Sequence, residues 1–535
     1  MEAENLANFE RASMIVSNNT NGPVLLASLE LGYTFPFGPM YLAGYMREHG
    51  EPVEMILFSE VKKGPRIEAA IRDIIEKKPL LLGLSGLFPH LKLAREIVKK
   101  LDQAGRKFPI VIGGQMVSPI PELSLAVVGA DVGAIGEGEL ILHELVLALR
   151  EGKDPIEVKG LILKDGDGFI HTGPGAFIHD LDELPKIPYD LLPKEEWLEI
   201  GRAYLRVRES LWPYGDRVGP IHGGRGCPYR CNFCYHHSLS RYRSTAKMME
   251  DAQDLINRYN ANVLYFGDDL VIPSSMRAGE LVEGILSLTK PVAYSISSRF
   301  DILDRIDDNV LNELKRSGCR LMGLGIESGS QRILNIMNKK ITVEQVHRGL
   351  SRLKKVGIIP TVSLMVGQLD ETKEDVEASI ALLRGTIREN RFLNYANFSI
   401  ATPYPGSPLY DVCKERGYIK DDQDFFNKYQ GSMNLLSVNM SRMTSEEVVG
   451  YRDLMSKVYQ EERINAIGKS RYGLAMRIAD WQIRLDNFFI GYKKSPKVER
   501  LESFHLLGFL TKIFELIYDQ IEYCFGRMRT KLLGL

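Results

Sequence analysis

The chain has 535 residues, 68 Lys+Arg against 69 Asp+Glu, a net charge of −1 and 44% apolar residues. At about 150 residues per domain this suggests about three domains, and the composition excludes wholesale disorder and a globally basic nucleic-acid binder. No apolar run reaches the roughly 18 residues of a membrane-spanning helix, and the acidic start MEAENLANFERAS is not a secretory signal, so the expected compartment is the cytoplasm.

Residues 14–150 alternate short apolar runs with helical periods. MIVSN, VEMILF, LLLGLSGL, FPIVIGG and VGAIG read as buried strands. PMYLAGYMREHG, RIEAAIRDIIEKK and HLKLAREIVKKLDQAG lie between them, with apolar residues three and four apart. The alternation predicts an α/β fold whose N-terminal part, residues 1–150, is a Rossmann-like, doubly wound parallel sheet. Residues 151–215 are Pro-rich and irregular, which suits a linker or clasp.

Residues 216–425 alternate again. Strands are expected near IHGGRG, NVLYFGDD, VAYSISS, RLMGLGIES, PTVSLMVG and YANFSIATPY, with amphipathic helices between. Six β/α units fit a partial (β/α)6 TIM-like barrel, whose chemistry collects at the C-terminal strand ends. The remainder, residues 426–535, reads as a helical C-terminal domain. From Arg463 to Leu535 there are 13 Lys+Arg and 7 Asp+Glu, a net +6, so the rest of the chain carries −7. FHLLGFLTKIFELIYDQIEYCFGRMRTKLLGL is apolar on one side and basic at its end. That pattern fits a helical cap, or a surface helix making peripheral contact with a membrane and admitting a lipid-like substrate.

None of the six cysteines lies in the first 226 residues. Cys227, Cys231 and Cys234 then form C-x3-C-x2-C, while Cys319, Cys413 and Cys524 stand apart. Thiolates this close in one loop can face one inorganic cluster. Three ligands would leave one iron of a 4Fe–4S cluster open to a substrate or cofactor. A zinc knuckle completed by His236 or His237, or buried thiols without metal, are the plainer readings.

This loop, with Phe233 just before its third cysteine, resembles the radical S-adenosylmethionine enzymes. Further segments match in order. Gly267-Asp268-Asp269 lies where that family holds the methionine amino group. Ser297 and Arg299 in SSRFD, and Glu327 in GLGIESGS, resemble its third and fourth strand ends, with Glu327 expected near the ribose. One departure is GQLDET, where the family often reads GLPGET. Taken singly, Asp268 and Asp269 could cap a helix, Arg299 could be a surface ion-pair partner and Glu327 a turn residue.

The N-terminal sheet resembles the cobalamin-binding domain of one subgroup of this family. Ser85-Gly86-Leu87 matches its S-x-L, Gly113-Gly114 its G-G, and GEGE at 136–139 also fits. FPFGPMYLAG stands where D-x-H-x-x-G is expected and offers no histidine as a lower ligand to cobalt. A sheet that binds nothing is the plainer reading; a nicotinamide site is disfavoured because no G-x-G-x-x-G follows the first strand. The cysteine-free N-terminal domain argues against a methylthiotransferase with a second cluster.

The resemblance implies three cofactors: a 4Fe–4S cluster, S-adenosylmethionine and cobalamin. It also implies an electron donor such as flavodoxin or ferredoxin and a small-molecule or lipid substrate, with no nucleic acid. Reductive cleavage of S-adenosylmethionine would give a 5′-deoxyadenosyl radical, and the expected reaction is methylation of an unactivated carbon. A radical cyclase, oxidase or rearrangement enzyme with the same cofactors, and a non-catalytic cobalamin or cluster sensor, are the competing readings.

Overall fold

The computed structural model describes residues 17, 19–29, 35–58, 65–192, 200–201, 204–205, 211, 214–215, 217–236, 239–389, 395–478, 481, 524–525, 527–529 and 531. Two compact units emerge. One comprises residues 1–200, 222–251 and 402–440, and the other residues 201–221, 252–401 and 441–535.

The first unit is built on a seven-stranded sheet: β1 (Val24–Ser28), β2 (Val53–Leu57), β3 (Leu81–Ser85), β4 (Ile110–Gly113), β5 (Val132–Ala134), β6 (Leu161–Asp165) and β7 (Gly168–His171). Their spatial order is β2-β1-β3-β4-β5-β6-β7. The first five are parallel and the last two antiparallel. Short runs such as VLLAS are buried throughout, as strands covered on both faces must be. Helices α1 (Phe37–Glu48), α2 (Pro65–Lys77), α3 (Leu91–Gln103) and α4 (Pro121–Val128) make the crossovers, and α5 (Gly138–Arg150) leads from β5 to the antiparallel β6. Val24, Leu26, Met46, Leu81, Val132 and Leu145 share one core with Leu161 and Leu163 of β6.

Among the described residues the first strand is VLLAS, and the expected strand MIVSN lies almost wholly outside them. One expectation needs correction here. Residues 151–215 are not irregular throughout, because β6 and β7 extend the sheet as a hairpin. Its turn, Asp165-Gly166-Asp167-Gly168, has Gly166 at φ 57° and lies between the apolar runs Leu161-Ile162-Leu163 and Phe169-Ile170.

The second unit is built on six parallel strands: β8 (Val218–Ile221), β11 (Val263–Phe266), β12 (Ala293–Ser298), β13 (Cys319–Glu327), β14 (Ile359–Val366) and β15 (Tyr395–Ile400). They run β15-β14-β13-β12-β11-β8, so each strand neighbours the next in sequence, as in an open barrel wall. A separate ribbon, β9 (Gly224–Arg225) with β10 (Arg241–Tyr242), belongs to the first unit.

The C-terminal stretch divides differently from the sequence partition at residue 426. Residues 402–440 join the first unit. The helix Ser445–Ile467 packs on the helix Lys373–Glu389 of the second, where Glu462 accepts two hydrogen bonds from Arg388 at 2.6 and 2.9 Å. Most of the basic, apolar segment 504–535 lies outside the described residues. Among the described residues no helix is long and apolar enough to cross a membrane.

Candidate active site

The ribbon β9–β10 closes a loop, residues 226–240, that carries all three clustered cysteines. Cys231 is buried, Cys227 and Cys234 are half-buried, and all three are free thiols. A turn closes on Cys231, with the Cys234 amide donating to its carbonyl at 3.2 Å. His236 Nε2 lies 3.1 Å from the same carbonyl, so that nitrogen is engaged with backbone. His237 lies outside the described residues. Among the described residues no three His, Cys, Asp or Glu side chains converge as a single-ion site needs. A cubane makes no such demand, because each thiolate meets a different iron. The donor set therefore suits a 4Fe–4S cluster with three protein ligands better than zinc, which wants four at one point.

The loop is fastened at base and tip. At the base, Arg225 spans Glu137 and Glu139 at 2.6 and 2.5 Å. Arg243 pairs with Asp251 at 2.6 Å in a setting where both are almost fully buried. At the tip, the Leu409 amide donates to the Asn232 carbonyl at 2.8 Å. Tyr235 packs on Gly406, where φ is +82° and any Cβ would come within 2.5 Å of the ring. Phe233 is half-buried in this loop.

In the same unit, Ser85, Gly86, Gly113 and Gly114 meet at the C-terminal edge of β3 and β4, where Ser85 pairs with Gly113. The strand order reverses between β1 and β3, and parallel sheets bind ligands outside such a switch point. Gly114 has φ +81°, and a Cβ there would stand 3.1 Å from the Gly86 carbonyl and 3.4 Å from Ser85 Oγ. Backbone thus approaches where a side chain would fill the edge. Leu87, just beyond, is exposed and apolar. These features fit the broad face of a cobalamin. His90, not anticipated, is buried three residues further on, and burial lowers its pKa to about 4. Its Nδ1 accepts the Leu87 amide at 3.0 Å. The neutral ring then carries its proton on Nε2 and offers cobalt no lone pair.

The second unit gathers the remaining candidates at the C-terminal strand ends. The Gly267 amide continues the β8–β11 ladder to the Ile221 carbonyl at 2.9 Å. Asp268 is buried and Asp269 exposed. Neither caps the following helix, because Ser274 does so, accepting from the Arg277 amide at 3.2 Å. Ser297 Oγ donates to the Asp268 carbonyl at 3.2 Å, tying the β12 end to the GDD loop.

Arg299 is buried rather than a surface partner. It donates to Asp301 at 2.9 Å and to the Lys339 carbonyl. Lys339 Nζ in turn donates to Glu327 Oε1 at 2.8 Å, and Ser363 Oγ to Oε2 at 3.1 Å. A polar relay therefore links the ends of β12 and β13 to Ser363 within β14. Glu327 has φ +68° at a β-bulge, a strained conformation for a non-glycine residue that costs about 1–3 kcal/mol. Lys339 and Ser363 hold it there. Neither was anticipated: Lys339 sits beside Lys340 in NKK, and composition does not say which lysine turns inward.

Comparison with known proteins gives two family matches, the second of which runs through parts of both units. A B12 binding domain model matches residues 24–146 and a Radical SAM superfamily model residues 221–383. The uncharacterised methyltransferase PH0819 of Pyrococcus horikoshii is 30% identical over 70% of this chain and 78% of its own length. The anaerobic magnesium-protoporphyrin IX monomethyl ester cyclase of Rubrivivax gelatinosus is 25% identical over 73% and 67%. Among solved structures, the cobalamin-dependent S-adenosylmethionine radical enzyme OxsB with aqua-cobalamin bound superposes with a TM-score of 0.65. It covers 96% of this chain and 80% of that one at 18% identity, which speaks to the fold. The chain belongs to the radical S-adenosylmethionine enzymes that carry a cobalamin-binding domain. Its cofactors are accordingly a 4Fe–4S cluster, S-adenosylmethionine and cobalamin.

Proposed function

We propose that the protein transfers a methyl group to an unactivated carbon of a small molecule. The observation that carries this reading is that the cysteine loop and the glycine-lined edge of β3 and β4 fold into one compact unit. Similarity to PH0819 supports methyl transfer over other outcomes. The similarity to the Rubrivivax cyclase keeps ring formation with the same cofactors as the second reading.

In this reading Cys227, Cys231 and Cys234 hold the cluster. Gly267, Asp268 and Asp269 receive the methionine end of S-adenosylmethionine, Ser297 and Arg299 shape the wall beside it, Glu327 takes the ribose hydroxyls and Phe233 shields the cluster. Ser85, Leu87, Gly113 and Gly114 seat cobalamin. The bound cofactors supply radical formation and methyl transfer, and the protein's residues orient, shield and exclude water. A low-potential one-electron donor such as a flavodoxin or ferredoxin supplies the reducing equivalent.

The test is anaerobic turnover of the reconstituted protein with methyl-labelled S-adenosylmethionine. Label is expected in a carbon–methyl bond of the product. Production of 5′-deoxyadenosine with an unlabelled, cyclised or oxidised product would decide for the second reading.

A further inference from the structure

The base of the cysteine loop is a closed electrostatic assembly drawn from three distant parts of the chain. Arg225, two residues ahead of Cys227, donates to Glu137 at 2.6 Å and to Glu139 at 2.5 Å. Arg241 is its cross-strand partner in the ribbon and donates to the same Glu137. Both guanidinium groups and both carboxylates are largely withdrawn from water, with side chains 4–12% exposed. The Tyr41 ring covers Arg225 at 5.4 Å and the Phe177 ring covers Arg241 at 4.8 Å. The Ile178 carbonyl takes a further hydrogen bond from Arg241. Two cations and two anions leave this group formally neutral.

Charge at this place matters more than charge elsewhere near the loop. Arg230, for example, is exposed, so water and salt screen it. The four buried groups act through a medium of lower dielectric. An iron–sulfur cluster becomes more negative when it accepts an electron, so a fixed positive charge favours reduction and a negative one opposes it.

We propose that Glu137, Glu139, Arg225 and Arg241 form a charge-neutral collar that positions the cysteine loop and sets the reduction potential of the cluster it holds. The inference rests on the cysteine loop carrying the cluster, and it extends the GEGE segment's role beyond the sheet in which it lies. These four are positioning residues. None is assigned as a ligand.

The test is a redox titration of the anaerobically reconstituted full-length protein, following the electron paramagnetic resonance signal of the reduced cluster alongside iron content. Glu139→Gln leaves one uncompensated positive charge and should move the midpoint potential upward. Arg241→Gln leaves one negative charge and should move it downward. The double variant Glu137→Gln/Arg241→Gln restores neutrality and should return to the parent value. Arg225→Lys keeps the charge but loses the two-pronged contact. It should hold the parent potential while releasing iron faster to a chelator. Shifts of the same sign in Glu139→Gln and Arg241→Gln would overturn the proposal, as would parent potentials in both at full iron content. If Glu139→Gln does not fold, the Arg241→Gln single and double variants decide alone: a double variant that stays at the single variant's potential overturns it. A failure of the cluster reading itself would look different, because the parent protein would then give no cluster signal to titrate.

Discussion

The parallel strands of the two sheets prepare their C-terminal edges in opposite ways. The N-terminal edge is made of small residues and backbone: Ser85, Gly86, Gly113 and Gly114. The barrel edge is made of polar and charged groups tied to one another, running from Asp301 through Arg299 and the Lys339 carbonyl, and from the Lys339 ammonium to Glu327 and Ser363. In the proposed reading the difference follows from the ligands. A broad, largely apolar macrocycle needs surface removed so that it can lie flat. A small zwitterion with a ribose needs donors and acceptors fixed in advance, so that little ordering is left to do on binding.

The contrast can be broken at several points. The largest effect is expected from Cys231→Ala, which should remove the cluster's visible absorbance and its iron, and with them formation of 5′-deoxyadenosine; cobalamin should still bind. Full iron retention would overturn the assignment. Next comes the barrel relay. Glu327→Ala removes the carboxylate paired with the buried ammonium of Lys339 and should cost about 3–5 kcal/mol of stability, read from the urea midpoint. Glu327→Gly relieves the left-handed strain and should be about 1 kcal/mol less damaging. Equal losses would show that the strain is not felt.

The pH dependence separates the two units with opposite signs. His90 is neutral when folded, and burial lowers its pKa to about 4. The unfolded chain takes up the proton first, so this contribution is present above pH 6.5 and lost as pH falls toward 4, by up to ~3 kcal/mol. Glu371 behaves inversely. Burial raises its pKa to about 7, although the Gln368 and Gly367 amides donate to it. Its contribution is full below pH 4.5 and lost as pH rises through 7, by up to ~3 kcal/mol. His90→Asn should flatten the acid limb of a stability profile, and Glu371→Gln the neutral limb. A profile unchanged by both would refute these assignments. The smallest effect is Gly114→Ala, about 1–2 kcal/mol in stability from the positive φ. It should weaken cobalamin binding, measured by equilibrium dialysis, and leave iron content unchanged.

Much of this was legible from local pattern. C-x3-C-x2-C, GDD, SSRFD and GLGIES are each contiguous, and each sits where a strand ends. Alternation of apolar runs with 3.6-residue periods marked both sheets. What escaped was of two kinds. The β6–β7 hairpin had a signal, Asp-Gly-Asp-Gly between two short apolar runs, but the prolines nearby masked it. The contacts of Arg225 with Glu137 and Glu139 had none, because they join residues 88 and 86 positions apart. Ion pairing across such a span depends on the fold that creates it. Lys339 escaped for a related reason: its burial is a property of the bulge at Glu327, not of the lysines themselves.

The fastening of the loop tip also orders the protein's biosynthesis. Asn232 is held by the amide of Leu409, and Tyr235 by the space at Gly406. Those partners leave the ribosome about 170 residues later, roughly ten to thirty seconds at typical elongation rates. Until then the cysteine loop lacks its last supports. Iron delivery to this protein is therefore expected to be a post-synthetic event: a nascent chain arrested before residue 402 should load cluster poorly, and the same chain released to full length should load it well.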